Sequence, residues 1–146
     1  MKLFLALIPP LLPWPAKPAV PERYLDAVAW AESRNDPRAV GSSGDRGLFQ
    51  FTPIAWDQAS NLRRKAGLPV YSFAQAFDPV ASRSYARTYF DFLEADLRRR
   101  GYAATPSALW LAWTLGPAGG AAIGYRLDLA PAYKRRGFSR LAAVLR

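Results

Sequence analysis

The sequence predicts an all-α or mainly α domain, with at most a small β element in the loop before Gly47. Three observations carry this. Apolar residues return at helical spacing in one segment after another, whereas no stretch sustains the period-two alternation of a half-buried strand. A capping residue followed by proline opens three of those segments, at Thr52-Pro53, Asp78-Pro79 and Thr105-Pro106, which is the N-cap and first-turn chemistry of a helix. No internal repeat is visible that would suggest a solenoid or propeller.

Taken in order, Pro21 opens the first helix, which carries Leu25 to Ser33 and ends near Asn35 to Pro37. The loop from Asp36 to Asp45 is dense in turn formers, and Gly41, Gly44 and Gly47 are placed to supply positive φ. A second helix from Pro53 carries Ile54, Trp56 and Leu62 and stops before Gly67. Ser72 caps a short turn through Phe73 to Phe77. The longest helix, Val80 to Arg100, ends at Gly101. Its core stripe is Ala81, Tyr85, Thr88, Tyr89 and Phe92, with Leu93 at its edge, and Arg83, Arg87, Asp91, Glu94 and Arg98 read as a solvated face. Ser107 to Leu115 is apolar nearly all round and therefore central, ended by Gly116 and Pro117. From Ala118 onward short helical pieces alternate with glycines and arginines, with Lys134, Arg135 and Arg136 as a basic knot.

A length of 146 residues suits one domain with a modest core. Cysteine and histidine are both absent, which excludes thiol nucleophiles, disulfides, Ser-His-Asp arrangements and ordinary zinc sites. An acid or base for catalysis must therefore come from Asp, Glu, Lys or Tyr. The net charge of +9 favours polyanions: nucleic acid, acidic lipid or an anionic wall polymer. No zinc-finger spacing, RNP-like signature or basic helix with heptads speaks for nucleic acid.

Residues 1–21 form a proline-rich leader ahead of the domain at 22–146. Lys2 followed by the apolar run Leu3 to Ile8 resembles a secretory signal peptide, and the run is too short and too broken by proline to span a bilayer. Trp14 stands where cleavage after Ala16 would prefer a small residue, so an uncleaved anchor and a plain leader are the alternatives. Export to the periplasm or beyond follows from a signal peptide, the cytoplasm from a plain leader. Its prolines place this part in extended conformation outside the core.

One carboxylate is out of place. Leu25, Val28, Ala29 and Glu32 fall at i, i+3, i+4 and i+7, so a helix puts Glu32 on the stripe that faces the core. A carboxyl held against an apolar wall has its neutral form favoured and its pKa raised, as a proton donor near neutral pH requires. The plain alternative is a helix-end Glu turned to solvent or paired with an arginine.

Glu32-Ser33 is followed by Pro37, Ala39, Val40, Gly44 and then Gly47-Leu48-Phe49-Gln50. This spacing resembles the signature of soluble lytic transglycosylases and goose-type lysozymes, E-S-x-x-x-P-x-A-V followed by G-x-x-G-L-M-Q. Ala112 to Pro117, AWTLGP, is similar to the family's A-Y-N-A-G-P. The resemblance implies a lysozyme-like helical fold acting on the β-1,4 bond between N-acetylmuramic acid and N-acetylglucosamine in peptidoglycan, as a monomer without cofactor or metal. It gives Glu32 the role of the acid that protonates the glycosidic oxygen. In transglycosylation the same residue then acts as base while the muramic 6-hydroxyl closes a 1,6-anhydro ring; inverting hydrolysis needs a second carboxylate. Asp45, in Gly44-Asp45-Arg46-Gly47, is the candidate, since goose-type lysozymes have a similar G-D-R-G segment; otherwise it is a turn former. Ser33, Gln50, Trp113 and Thr114 are the implied substrate contacts. Gln50 is otherwise an amide satisfied by backbone, and Trp113, like Trp30 and Tyr125, is otherwise core. Trp113-Thr114 replaces the family's Tyr-Asn, so a non-catalytic glycan-binding relative is a third reading.

Overall fold

The computed structural model describes residues 20–145. Five α-helices make the domain: α1 Glu22–Ser33, α2 Pro53–Lys65, α3 Pro79–Arg99, α4 Pro106–Ala122 and α5 Ala132–Val144, with 3-10 turns at Phe73–Phe77 and Leu127–Leu129. No sheet forms among the described residues. The small β element is a pair of antiparallel bridges, Val40 to Arg46 and Arg46 to Phe51. No helix among the described residues is long and apolar enough to cross a membrane.

The caps fall where the sequence puts them. Thr52, Asp78 and Thr105 each accept a hydrogen bond from the backbone N–H three residues on, with proline in the first turn of the helix they open. Ser72 and Gln75 close the turn at Phe73–Phe77 through the Ser72 N–H to Gln75 Oε1. α3 is the central strut and packs on α2 and α4, while α5 lies along α1 and also meets α4. The core between them is aromatic: Trp56 stacks on Tyr85 at 3.7 Å between centroids, and Phe51 meets Trp56 edge-on at 5.2 Å.

Several expectations are corrected. The charged side of α3 is not a solvated face: Arg83 bridges Glu22 and Asp26 of α1 at 3.1 and 2.7 Å, Arg87 pairs with Glu22, and Glu94 is only 5 % exposed. Of the five only Arg98 is mainly exposed, and it too is paired, with Glu94 at 2.7 Å. A charge run on a helix reads as solvated until a second charged helix, here the outer edge of α1, is laid against it. The leader's outward placement fails at Val20, which is 1 % exposed and whose carbonyl accepts from Arg87, while Pro21 is exposed; residues 1–19, and with them the signal-peptide reading, lie outside the described residues. Gly116 (φ 75°, ψ 162°) does interrupt α4, yet the chain resumes helical geometry from Pro117 to Ala122. From Ala118 onward the end of α4 and the 3-10 turn Leu127–Leu129 are the short pieces expected, but the last of them, Ala132–Val144, is a continuous 13-residue helix. Gly137 does not break it: it is the point of closest approach, where a Cβ would lie 2.5 Å from Cζ2 of Trp110.

Candidate active site

Glu32 occupies the last turn of α1, on the stripe whose other members Leu25, Val28 and Ala29 are completely buried. The helix stops immediately after it because Arg34 and Asn35 take left-handed φ values of 59° and 62°, and their N–H groups return to Trp30 and Ala29 carbonyls. The carboxyl therefore projects from a rigid, well-buried helix at the point where the chain turns away. Arg140 of α5 donates to the Ala31 carbonyl at 3.2–3.3 Å, which satisfies a backbone acceptor at this helix end.

The carboxyl opens into a cavity of about 330 Å³. Asp45 and Gln50 from the bridge loop form one side, Thr52, Ile54, Ala55 and Gln58 around the start of α2 another, and Trp113, Thr114 and Gly116 of α4 face them, with Lys134 of α5 beside Glu32. Ile54, 72 % exposed, is a lip of this cleft and not a core residue. A second cavity of about 300 Å³ continues past Gln58 and Tyr89 to Leu62, Lys65, Phe92 and Pro117. Together they make an extended groove.

Trp113 donates its indole N–H to Glu32 Oε1 at 3.0 Å. Its ring is fixed by stacking on Phe90 (4.8 Å) and edge contacts with Phe51 and Tyr89 (5.1 and 5.7 Å). It is thus at once a core residue and a wall of the cleft, and the choice posed by the sequence dissolves. Burial pushes the Glu32 carboxyl up to about 7, against the Trp113 hydrogen bond and the nearby cations Lys134 and Arg140, and with a small upward push from Asp45. Glu32 is therefore poised to hold or release a proton near neutrality.

Gln50 spends both amide protons on backbone, donating Nε2 to the carbonyls of Ala39 (3.1 Å) and Gly47 (3.0 Å). It nevertheless lines the cavity. Its backbone is left-handed, with φ 49°. Gly41, expected to need positive φ, does not have one; its role is spatial, since a Cβ there would lie 2.9 Å from Asp45 Oδ2 and from Gln50 Oε1. Gly44 and Gly47 are the left-handed pair, at 79° and 74°.

Asp45 reaches the cavity, and its Oδ1 is buried without a hydrogen-bond partner, unlike an Asp that serves a turn. The neighbouring Arg46 stands apart from it, over the rings of Phe73 (4.3 Å) and Phe77 (5.4 Å). Ser33 is not among the cavity-lining residues: its hydroxyl contacts the carbonyls of Ala29 (3.1 Å) and Leu48 (2.8 Å), tying the bridge loop to α1. Thr114 lines the cavity but donates its hydroxyl back to Trp110 O at 2.9 Å. Tyr125 is core, donating to Pro117 O, and Trp30 lies away from the cleft under the Arg34 guanidinium.

Sequence reasoning missed Lys134. The signal was present in the same form as for Glu32: Lys134, Gly137 and Leu141 fall at i, i+3 and i+7, and the last two are the buried residues of α5, so the lysine continues a core-facing stripe. Reading this stretch as short pieces, with Lys134 only as part of a basic knot, hid that spacing. Among the described residues no group of three acidic side chains could hold a metal ion.

Five helices without a sheet among the described residues are the all-α build of a lysozyme-like domain. The chain belongs to the transglycosylase SLT family: the profile described as Transglycosylase SLT domain matches residues 12–108. That family comprises lytic transglycosylases, whose substrate is peptidoglycan. The match contains Glu32, Ser33, Asp45 and Gln50 and ends before Trp113, Thr114 and Lys134. None of the curated proteins compared matches the chain.

Proposed function

We propose that the protein is a peptidoglycan lytic transglycosylase that cleaves the β-1,4 bond between N-acetylmuramic acid and N-acetylglucosamine, with Glu32 as general acid and then base. The observation that carries this is the Glu32 carboxyl, held beside the Trp113 indole in the cleft with its pKa pushed up to about 7. Such a group donates its proton to the bridging oxygen and, once ionised, takes the proton of the muramic 6-hydroxyl as that oxygen closes the anhydro ring. Trp113, Gln50 and Thr114 are the side chains that line the sugar's path; Ser33 supports them by holding the loop. The substrate places the reaction outside the cytoplasmic membrane, in the periplasm or beyond. The basic surface speeds encounter with an anionic wall.

A second reading, inverting hydrolysis, has one observation in its favour: Asp45 lines the same cavity and its carboxylate is not spent on the turn that carries it, since Oδ1 has no hydrogen-bond partner; inversion would use such a group to activate a water. Mass spectrometry of muropeptides released from purified sacculi separates the two. Anhydro ends, one water lighter than reducing ends, are expected, and Asp45→Asn should leave their yield within about threefold. Reducing ends, together with loss of activity in Asp45→Asn, would replace transglycosylation by hydrolysis.

A further inference from the structure

Lys134 is half-buried and lines the same cavity as Glu32 and Asp45. It is the only cation among the residues that line this cavity. The helix that carries it is pinned from three sides. The Lys134 carbonyl accepts from Trp110 Nε1 at 2.9 Å, a Cβ on Gly137 would lie 2.5 Å from the Trp110 ring, and Arg140 ties α5 to the Ala31 carbonyl at the end of α1. These contacts hold the base of the lysine at the catalytic end of the groove.

Burial favours the neutral form of the Glu32 carboxyl, which serves the first proton transfer and opposes the second. When Glu32 gives its proton to the bridging oxygen, the bond from that oxygen to the anomeric carbon breaks and a carboxylate is left in the cleft. It regains a proton from the muramic 6-hydroxyl as that oxygen bonds the anomeric carbon, so Glu32 ends as it began. Between the two transfers a buried negative charge has to persist, which is costly if it stands alone. Among the described residues the only hydrogen-bond donor to this carboxyl is the neutral Trp113 indole. Of the charges that act on it, Lys134 and Arg140 of α5 favour the carboxylate and Asp45 of the bridge loop opposes it. Arg140 is committed to the Ala31 carbonyl and is not among the cavity-lining residues, while Arg135 and Arg136 are exposed. The parts of α2 and α4 that line the cavity bring no ionisable side chain, and α3 brings only the Tyr89 phenol, which burial keeps neutral.

We infer that Lys134 is a positioning residue for Glu32: its ammonium stabilises the carboxylate formed when the bridging oxygen is protonated, so that one buried carboxyl acts first as acid and then as base. The inference rests on the glycan-cleaving reading of this groove and says how its single acid is kept usable in both directions. The attraction is mutual, since Glu32 and Asp45 hold the proton on Lys134 while burial opposes it. Lys134 stays charged where Glu32 titrates, because an ordinary lysine ionises about three pH units above neutrality. It acts across the cavity, without displacing the proton that Glu32 must carry.

Carbon-13 NMR of the Glu32 side-chain carboxyl, followed with pH in the full chain without substrate, tests this. In the wild type the resonance should titrate near 7. Lys134→Met and Lys134→Gln should each raise the midpoint by about half a pH unit or more, and Lys134→Arg should keep it near the wild type. Asp45→Asn should move it the other way. Arg136→Gln removes the same charge outside the cleft and should leave the midpoint within about 0.2 pH unit. The alkaline limb of muropeptide release against pH should shift upward with the Lys134→Met midpoint, since that limb reports loss of the acid form. A midpoint unchanged or lowered in both neutral Lys134 variants overturns the inference, and is what a lysine that only fills space would give. An equal rise in Arg136→Gln overturns it too, by making the effect one of net charge. A wild-type midpoint at the ordinary 4.5 counts instead against the reading of Glu32 as the acid, which separates the two failures.

Discussion

Glu32→Gln should lower release of soluble muropeptides from sacculi by about a thousandfold or more, in the upper part of what a positioned acid/base contributes. The amide is nearly isosteric and its oxygen can still accept the Trp113 indole N–H, so packing of the α1 end against α4 is kept. What is lost is only the transferable proton. Stability should move the opposite way. A carboxyl whose pKa rises from the ordinary 4.5 to about 7 on folding binds its proton more tightly in the folded state. Its contribution is fully present below about 4.5 and is lost as pH rises toward 7, because the folded state must then ionise a buried group. The difference across that window is about 3 kcal/mol. Denaturant melts should therefore show Glu32→Gln gaining on the wild type above pH 7 and matching it near pH 4. A variant less stable than wild type at every pH would make Glu32 a structural residue.

Gly47→Ala is the largest expected loss of stability. Gly47 combines a φ of 74° with a position where a Cβ would sit 1.9 Å from the Ala76 carbonyl oxygen. The left-handed backbone alone disfavours alanine by about 1 kcal/mol, and the clash is with backbone, which cannot swing aside. The bridge loop or the 3-10 turn at Phe73–Phe77 must shift, for a total cost of at least about 3 kcal/mol, read as a lower urea midpoint. Because the Gly47 carbonyl also accepts from Gln50, the same shift displaces Gln50 and Asp45 from the cleft. Gly44→Ala is the control: its φ is 79° but nothing lies within 4 Å of its Cβ, so only the backbone part of the penalty should appear.

These two glycines show what the sequence could and could not convey. Turn chemistry conveyed that glycines of this loop take positive φ, as Gly44 and Gly47 do and Gly41 does not, but that only Gly47 of this pair is sterically locked depends on Ala76, a contact between segments nearly thirty residues apart. The capped helix starts were legible because caps are local. Glu32 was legible because one charge on an otherwise apolar stripe is a local contradiction, and its motif neighbours gave the loop that faces it. Its hydrogen bond to Trp113, 81 residues on, was not legible, since tertiary packing alone decides which aromatic of α4 faces α1. The ion pairs between α3 and α1 failed for the same reason: spacing within α3 shows which residues share a face, not what that face meets. Lys134 was lost because three consecutive cations read as one exposed knot, whereas the helix turns Lys134 toward the buried Gly137 and Leu141 and leaves Arg135 and Arg136 outside.

The most direct measurement follows the Trp113 indole N–H resonance with pH by NMR, since that proton is donated to the Glu32 carboxyl and senses its ionisation whether or not the protein turns over substrate. A titration with midpoint near 7, absent in Glu32→Gln, is the expected result. A midpoint at the ordinary 4.5 would mean that Glu32 is ionised at neutral pH and has no proton to give.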